Sequence, residues 1–272
     1  MDNKLMKVKL KTEKLLAGLN ILKNVVGEDA RVVMLALIGP KYNERNEGYV
    51  RTALRMISAT LADFCIELYE DDVEICDQTW DNFYIPNMSL SELLMIIAKA
   101  DKSGETEMIF EKGGDNLTVH AKFMSASNEG VSISHDFSAT EERGKHGVIL
   151  DSMDSERFNL LSYKNVFLGG YGIVPITRTQ LISELSKGIQ DGNDTIVVSA
   201  DISAFWRAYT DPIVTFTFNI QQAKMICTVI KEYEAKYVLI WEIREKTKFI
   251  SDDKNNFYMQ FTPGCNDIFG RG

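Results

Sequence analysis

The densest group of residues able to do chemistry is acidic: Glu70, Asp71, Asp72, Glu74 and Asp77. Clustered carboxylates of this kind can hold a divalent metal or share acid and base work. Here Glu70-Asp71-Asp72-Val73 reads as a turn joining two strands, and the calcium-loop spacing with its central glycine is absent. A solvated turn is the favoured reading. The histidines are His120, His135 and His146. The first two have no cysteine or acidic partner at metal-ligand spacing, and His120, next to Val119 in a strand-like run, reads as structural. Gly144-Lys145-His146-Gly147 lacks the length and the Ser/Thr of a phosphate-binding loop. Gly169-Gly170-Tyr171-Gly172 precedes a strand, not a helix N-terminus, and so fails the dinucleotide test. Cys65, Cys76, Cys227 and Cys265 are too scattered for a zinc site and read as reduced, mostly buried thiols. No nucleophile, base and oxyanion set can be assembled. The sequence therefore predicts a protein that is not an enzyme, with no catalytic residue, cofactor or metal.

The elements around these residues repeat one pattern: a short strand-like run, a capping residue, an amphipathic helix, then alternating strands. Val8 and Leu10 lead into Thr12, followed by Leu15, Leu16, Leu19, Leu22 and Val26 at helical spacing and closed by Gly27. A second helix opens at Ser89, which with Glu92 makes a capping box. A third opens at Thr177 with Gln180 and runs to Asp191 and Gly192. A fourth opens at Asn219 with Gln222, a weaker box. Strands are expected at 107–110, 117–123 and 131–133 behind helix two, and at 237–243, 248–250 and 257–261 behind helix four. The third repeat lacks a strand. Residues 138–165 lapse into a charged, glycine-containing stretch that reads as a connector. The domains expected are 1–137, the connector 138–165, and 166–272 with a C-terminal tail.

With 272 residues, 30 Lys+Arg against 39 Asp+Glu and a net charge of −9, the chain has room for about two cores. The longest uninterrupted apolar run, Val32 to Ile38, is far below the roughly 18 residues that suggest a membrane helix. No secretory signal is legible at the start, so a cytoplasmic protein is expected. The negative total argues against a protein that coats nucleic acid with its whole surface. It leaves room for a local basic face. From the four helix starts to residues 26, 102, 190 and 236 there are nine basic residues (Lys14, Lys23, Lys99, Lys102, Arg178, Lys187, Lys224, Lys231, Lys236) and six acids. The helices then carry about +3 and the remainder about −12. Solvated helix faces rich in lysine are the plain alternative. The functional reading is a face of lysine and small polar side chains that touches phosphates without reading bases.

At Lys7-Val8-Lys9-Leu10-Lys11-Thr12-Glu13-Lys14-Leu15-Leu16-Ala17-Gly18-Leu19 the chain resembles the start of the DNA polymerase sliding clamps, the ring-forming family of the bacterial β clamp, proliferating cell nuclear antigen and the phage clamps. Arg55-Met56-Ile57-Ser58-Ala59-Thr60-Leu61-Ala62-Asp63-Phe64 is similar to a strand-turn-strand stretch of that family. Residues 237–243 with Asn256-Phe257-Tyr258-Met259-Gln260-Phe261 look like its closing strands. The third repeat is short, the connector is long, and Phe261-Thr262-Pro263-Gly264 departs from the usual ending.

The resemblance implies an α+β DNA-clamp fold: two domains, each of two βαβββ-like units, with helices lining a central hole and antiparallel sheets outside. It implies a processivity factor that encircles duplex DNA without sequence preference and tethers DNA polymerase and other replication proteins. Two domains per chain would match the trimeric clamps, with edge strands of neighbouring copies pairing to close a homotrimer. A clamp-loader ATPase is implied, as is a phage or bacterial origin, in the host cytoplasm if phage-encoded. DNA contacts would come from Lys14, Asn20, Lys23, Lys99, Lys102, Lys187, Lys224 and Lys231 on the inner helix faces. An apolar pocket for a partner peptide would draw on Ile57, Leu61, Val148, Leu150, Tyr258 and Gln260. The alternatives are a subunit of a hetero-oligomeric checkpoint-type clamp and a non-ring module that binds peptides.

Overall fold

The computed structural model describes residues 4–37, 53–60, 64–78, 88–112, 118–126, 132–140, 173–201, 213–242, 247–254 and 256–261. The fold is α+β, with antiparallel sheets and four helices among the described residues. The chain forms two compact units: Met1–Ala59 with Leu68–Tyr163, and Thr60–Glu67 with Lys164–Gly272.

In the first unit, β1 (Lys4–Lys11) alternates lysine with apolar residues, and the pleat sorts them: Val8 and Leu10 are buried while Lys7 and Lys9 are half-buried and Lys11 is exposed. It lies between β5 (Val73–Gln78) and β7 (Glu105–Lys112), and β8 (Thr118–Ala126) and β9 (Ser132–Thr140) extend the sheet beyond β7, all antiparallel. A separate ladder runs β3 (Ala53–Thr60), β2 (Arg31–Leu37), β6 (Met88–Ser89). The helix α1 (Thr12–Val26) buries Leu15, Leu19 and Leu22, spaced at three and four residues on one face. Gly27 ends it with φ +95°, a conformation L side chains avoid, and its N–H reaches the Lys23 carbonyl at 2.9 Å.

Thr12, expected as a cap, does something else. Its N–H bonds to the Gly104 carbonyl at 3.0 Å, and its hydroxyl lies 2.9 Å from that of Thr106, both buried. A main-chain acceptor from the bend just before β7 has replaced the side-chain cap. The helix α2 (Leu90–Ile97) is shorter than the sequence predicts. Ser89 caps it by accepting from the Glu92 N–H at 3.3 Å, but beyond Ile97 the backbone tightens into three-residue turns, Lys99 N–H to Ile96 and Ala100 N–H to Ile97. Asp101 then accepts from the N–H and hydroxyl of Ser103 and fixes a turn.

The second unit holds β10 (Val174–Thr177), α3 (Arg178–Gln190), β11 (Thr195–Asp201), β12 (Ile213–Asn219), α4 (Ile220–Glu232), β13 (Tyr237–Glu242), β14 (Lys248–Asp252) and β15 (Phe257–Phe261). The sheet order is β10-β13-β14-β15, followed by residues 64–67 of β4 (Phe64–Glu70), which the middle of the chain contributes. Phe64 meets Phe261 at 4.9 Å between ring centres. Trp241, Phe249 and Tyr258 form an aromatic cluster with centres 5.4 to 5.9 Å apart. Among the described residues only β11 stands between α3 and β12, and β11 and β12 pair as a two-stranded sheet. Thr177 gives α3 half of a capping box, by accepting from the Gln180 N–H. The box at Asn219 and Gln222, the weaker one on sequence, is complete, at 2.8 and 3.1 Å.

Candidate nucleic-acid interface

Two helix pairs carry the lysines, α1 with α2 and α3 with α4. On α1, Lys14 and Asn20 are exposed and Lys23 is half-buried. Glu13, Ala17 and Asn20 recur at helical spacing beside Leu94 and Ala98, and together with Leu16, Lys23 and Lys102 they line a groove of about 500 Å³. Asn20, Lys23 and Lys102 thus meet at one site, while Lys14 and Lys99 do not line it. The lining combines apolar or small residues with two cations, one carboxylate and one amide. Lys23 also pairs with Glu28 at 2.5 Å, and that contact lowers the Glu28 carboxyl below its ordinary range. Met95 of α2 is exposed.

Lys99 and Lys102 were expected on the face of helix two. Both are exposed, but they sit in the turn beyond α2, for the reason given above. With the observed boundaries the four helices hold six basic and four acidic residues, so the helix charge is about +2 instead of +3.

In the second unit, Lys187 on α3 and Lys224 and Lys231 on α4 are exposed. Lys224 and Lys231 are seven residues apart on one face, or about 10 Å along the axis. Thr228 between them donates its hydroxyl to the Lys224 carbonyl at 2.9 Å. Under this face Cys227 is buried, and burial pushes its thiol up while Ser186 of α3 and Lys231 act in the opposite sense. Arg178 is not part of the face. Its Nε donates to the Ile230 carbonyl at 2.7 Å and a terminal nitrogen donates to Lys231 O at 3.0 Å, which closes the C-terminus of α4. Residue type alone could not separate this cap from a surface cation.

Of the residues expected at a peptide pocket, Ile57 is buried in β3, Tyr258 is buried in the aromatic cluster, and Gln260 is half-buried on β15. Leu61, Val148 and Leu150 lie outside the described residues, as do His146 and the glycines at 169–172. The acidic cluster does form a turn: Glu70 ends β4, its carboxylate accepts from the Asp72 N–H, and Asp72 faces Lys11 at 3.9 Å. Among the described residues no group of three or more histidine, cysteine or acidic side chains is placed to hold a metal. Nor is any described helix long and apolar enough to cross a membrane.

No protein-family model matches the chain, and no curated protein does. Among the solved structures similar to it are two clamps. One is proliferating cellular nuclear antigen from Entamoeba histolytica, at 10% identity and TM-score 0.48, over 94% of this chain and 96% of that one. The other is the PCNA2–PCNA3 complex from Sulfolobus tokodaii, at 9% identity and TM-score 0.45, over 96% of this chain and 100% of that one. Both carry a name from the family that the sequence resembles.

Proposed function

We propose that this chain is a sliding clamp, a ring that encloses duplex DNA and tethers a DNA polymerase to it. The observation that supports the reading is the repeated pairing of strand-led helices, α1 with α2 and α3 with α4, with exposed lysines on α1, on the turn that follows α2, and on α3 and α4. Such side chains meet phosphates as point charges and lack the bidentate fork that reads a base edge, so contact is independent of sequence. A helix charge near +2 gives weak electrostatic affinity. Weak contact with retention by enclosure suits movement along a duplex. The DNA-facing residues in this reading are Lys14, Asn20, Lys23, Lys99, Lys102, Lys187, Lys224 and Lys231. The ring is a homotrimer, an ATPase loader opens it, and the gene belongs to a phage or a bacterium.

The test compares circular with linear duplex after loading. Retention at high salt on the circle alone is the expected result; equal loss from both would overturn enclosure. Native mass near three times 30.8 kDa is expected, and a monomer at every concentration would overturn the ring. Replacing Lys187, Lys224 and Lys231 singly by alanine should reduce the salt slope of binding by about one each.

A further inference from the structure

Carboxylates are placed differently on the two lysine-bearing helix pairs. On α1, Glu13, Ala17 and Asn20 follow one another at helical spacing along an exposed stripe. All three line the groove between α1 and α2, so the Glu13 carboxylate shares that lining with Lys23 and Lys102. Lys23 is also engaged from the other side. Its Nζ lies 2.5 Å from Glu28 Oε1, just past the helix-ending Gly27, and the contact keeps the Glu28 carboxyl below its ordinary range, hence charged at neutral pH. Two lysines are thus set against two carboxylates, and the local charge sums to zero.

The α3 and α4 pair is arranged the other way. Its exposed lysines are Lys187, Lys224 and Lys231. Glu184 of α3 is drawn toward the sheet: Oε2 accepts from the Ser199 N–H at 3.1 Å, and Oε1 accepts from Gln180 Nε2 at 2.8 Å. Within α4 no acid stands three or four residues from Lys224 or Lys231, and Glu232 lies about 100° around the axis from Lys231. A field that attracts phosphates builds where cations stand together and collapses where each is matched, because a matched pair acts at a distance as a dipole.

We propose that Glu13 and Glu28 act as electrostatic brakes on the α1 and α2 face: they offset Lys23 and Lys102, keep its pull on a duplex backbone low, and leave most of the phosphate contact to α3 and α4. The inference rests on the clamp reading and adds to it a cause for loose contact. Glu13 also lies in the first turn of α1, where a carboxylate favours the helix dipole, a structural use that the experiment separates from the brake.

A short fluorescein-labelled linear duplex is titrated with the full chain, and anisotropy gives the affinity from about 20 to about 200 mM salt. E13Q should bind roughly two- to threefold more tightly per copy at the low-salt end, the effect of one unit charge on another about 8 Å away in water, and the gain should fade as salt rises. E28Q should steepen the salt slope by about one, because Lys23 is released to a phosphate, and K23A should lower the slope by about one only in the E28Q background. Glu74→Gln removes an exposed carboxylate of β5 that does not line the groove, and it should change the affinity clearly less. Equal tightening by Glu74→Gln would mean that total charge alone matters and would overturn the proposal. A lower urea midpoint for E13Q at parental affinity assigns Glu13 to the helix dipole and also overturns it. Parental behaviour in either E13Q or E28Q, where binding by the parent still depends on Lys224 and Lys231, overturns the brake and leaves the clamp standing. A parent that binds duplex at no salt concentration overturns the clamp reading itself.

Discussion

Replacing Gly188 by alanine isolates the contact that seats α3 on its sheet. A Cβ at this position would lie 2.7 Å from Ile196 Cγ1, 2.8 Å from Cγ2 and 3.0 Å from Cδ1. Both branches of one side chain are met at once, so no single rotation of Ile196 clears them, and β-branching leaves it few rotamers. Ile196 is only 3% exposed, which removes solvent as an escape. Overpacking of a core costs about 1 to 3 kcal/mol, and three contacts this short argue for the upper half of that range. Alanine regains about 1 kcal/mol of helix propensity over glycine. The net loss expected is about 1 to 2 kcal/mol, read as a lower urea midpoint at unchanged slope. I196A should remove most of the penalty when combined with G188A, though it is destabilising alone. Gly18 is the control. Its added Cβ would meet Met56 Cε, the far end of a flexible side chain, so G18A should cost clearly less. A G188A variant more stable than the parent would refute the reasoning, because propensity would then outweigh the contact.

Arg178→Ala removes two bonds to the last carbonyls of α4 and should cost about 1 to 2 kcal/mol in thermal or urea unfolding, with lysine restoring only part. Asp252 is buried, and desolvation raises its carboxyl above the ordinary range despite bonds from Asn256 and Phe257, whereas bonds from Ser103 lower Asp101. Carbon-13 NMR should therefore find Asp252 titrating above Asp101. The sign follows: Asp252 favours the folded state most when protonated, and that contribution is lost as pH rises through its folded value, while Asp101 contributes above its unfolded value and loses this as pH falls. Cys227 is buried with a raised thiol, so peptide mapping should show slow alkylation at neutral pH that becomes fast on unfolding.

Local signals gave the helix starts. Gly27 stopped α1 because glycine alone tolerates its backbone angle, and Asn219 with Gln222 closed a full box because both partners lie within four residues. Partners distant in sequence were illegible. Thr12 looks like a cap until Thr106 and Gly104 are brought beside it, and Arg178 looks like a surface cation until the end of α4 arrives 52 residues later. Lys99 and Lys102 continued the helical spacing on paper, yet Asp101 and Ser103 preferred a turn, as short polar side chains do when they can bond their own backbone. The candidate groove on α1 was half visible: Asn20, Lys23 and Lys102 carry polarity, whereas Leu94 and Ala98 are indistinguishable from core residues until the helices pack. The bonds that Gln180 and Glu184 make to the Ser199 main chain left no trace, since glutamine and glutamate four residues apart are common on any exposed helix.

The place of residues 64–67 beside β15 has a consequence for synthesis. Phe64 and Phe261 are 197 positions apart, yet their rings touch within one unit. At about 5 to 20 residues per second, the first phenylalanine leaves the ribosome roughly 10 to 40 s before its partner exists. For that interval an apolar strand has an open edge. The second unit should thus be the later and slower one to form, and a fragment beginning at Lys164 should be poorly soluble unless a strand covering residues 60–67 is supplied in trans.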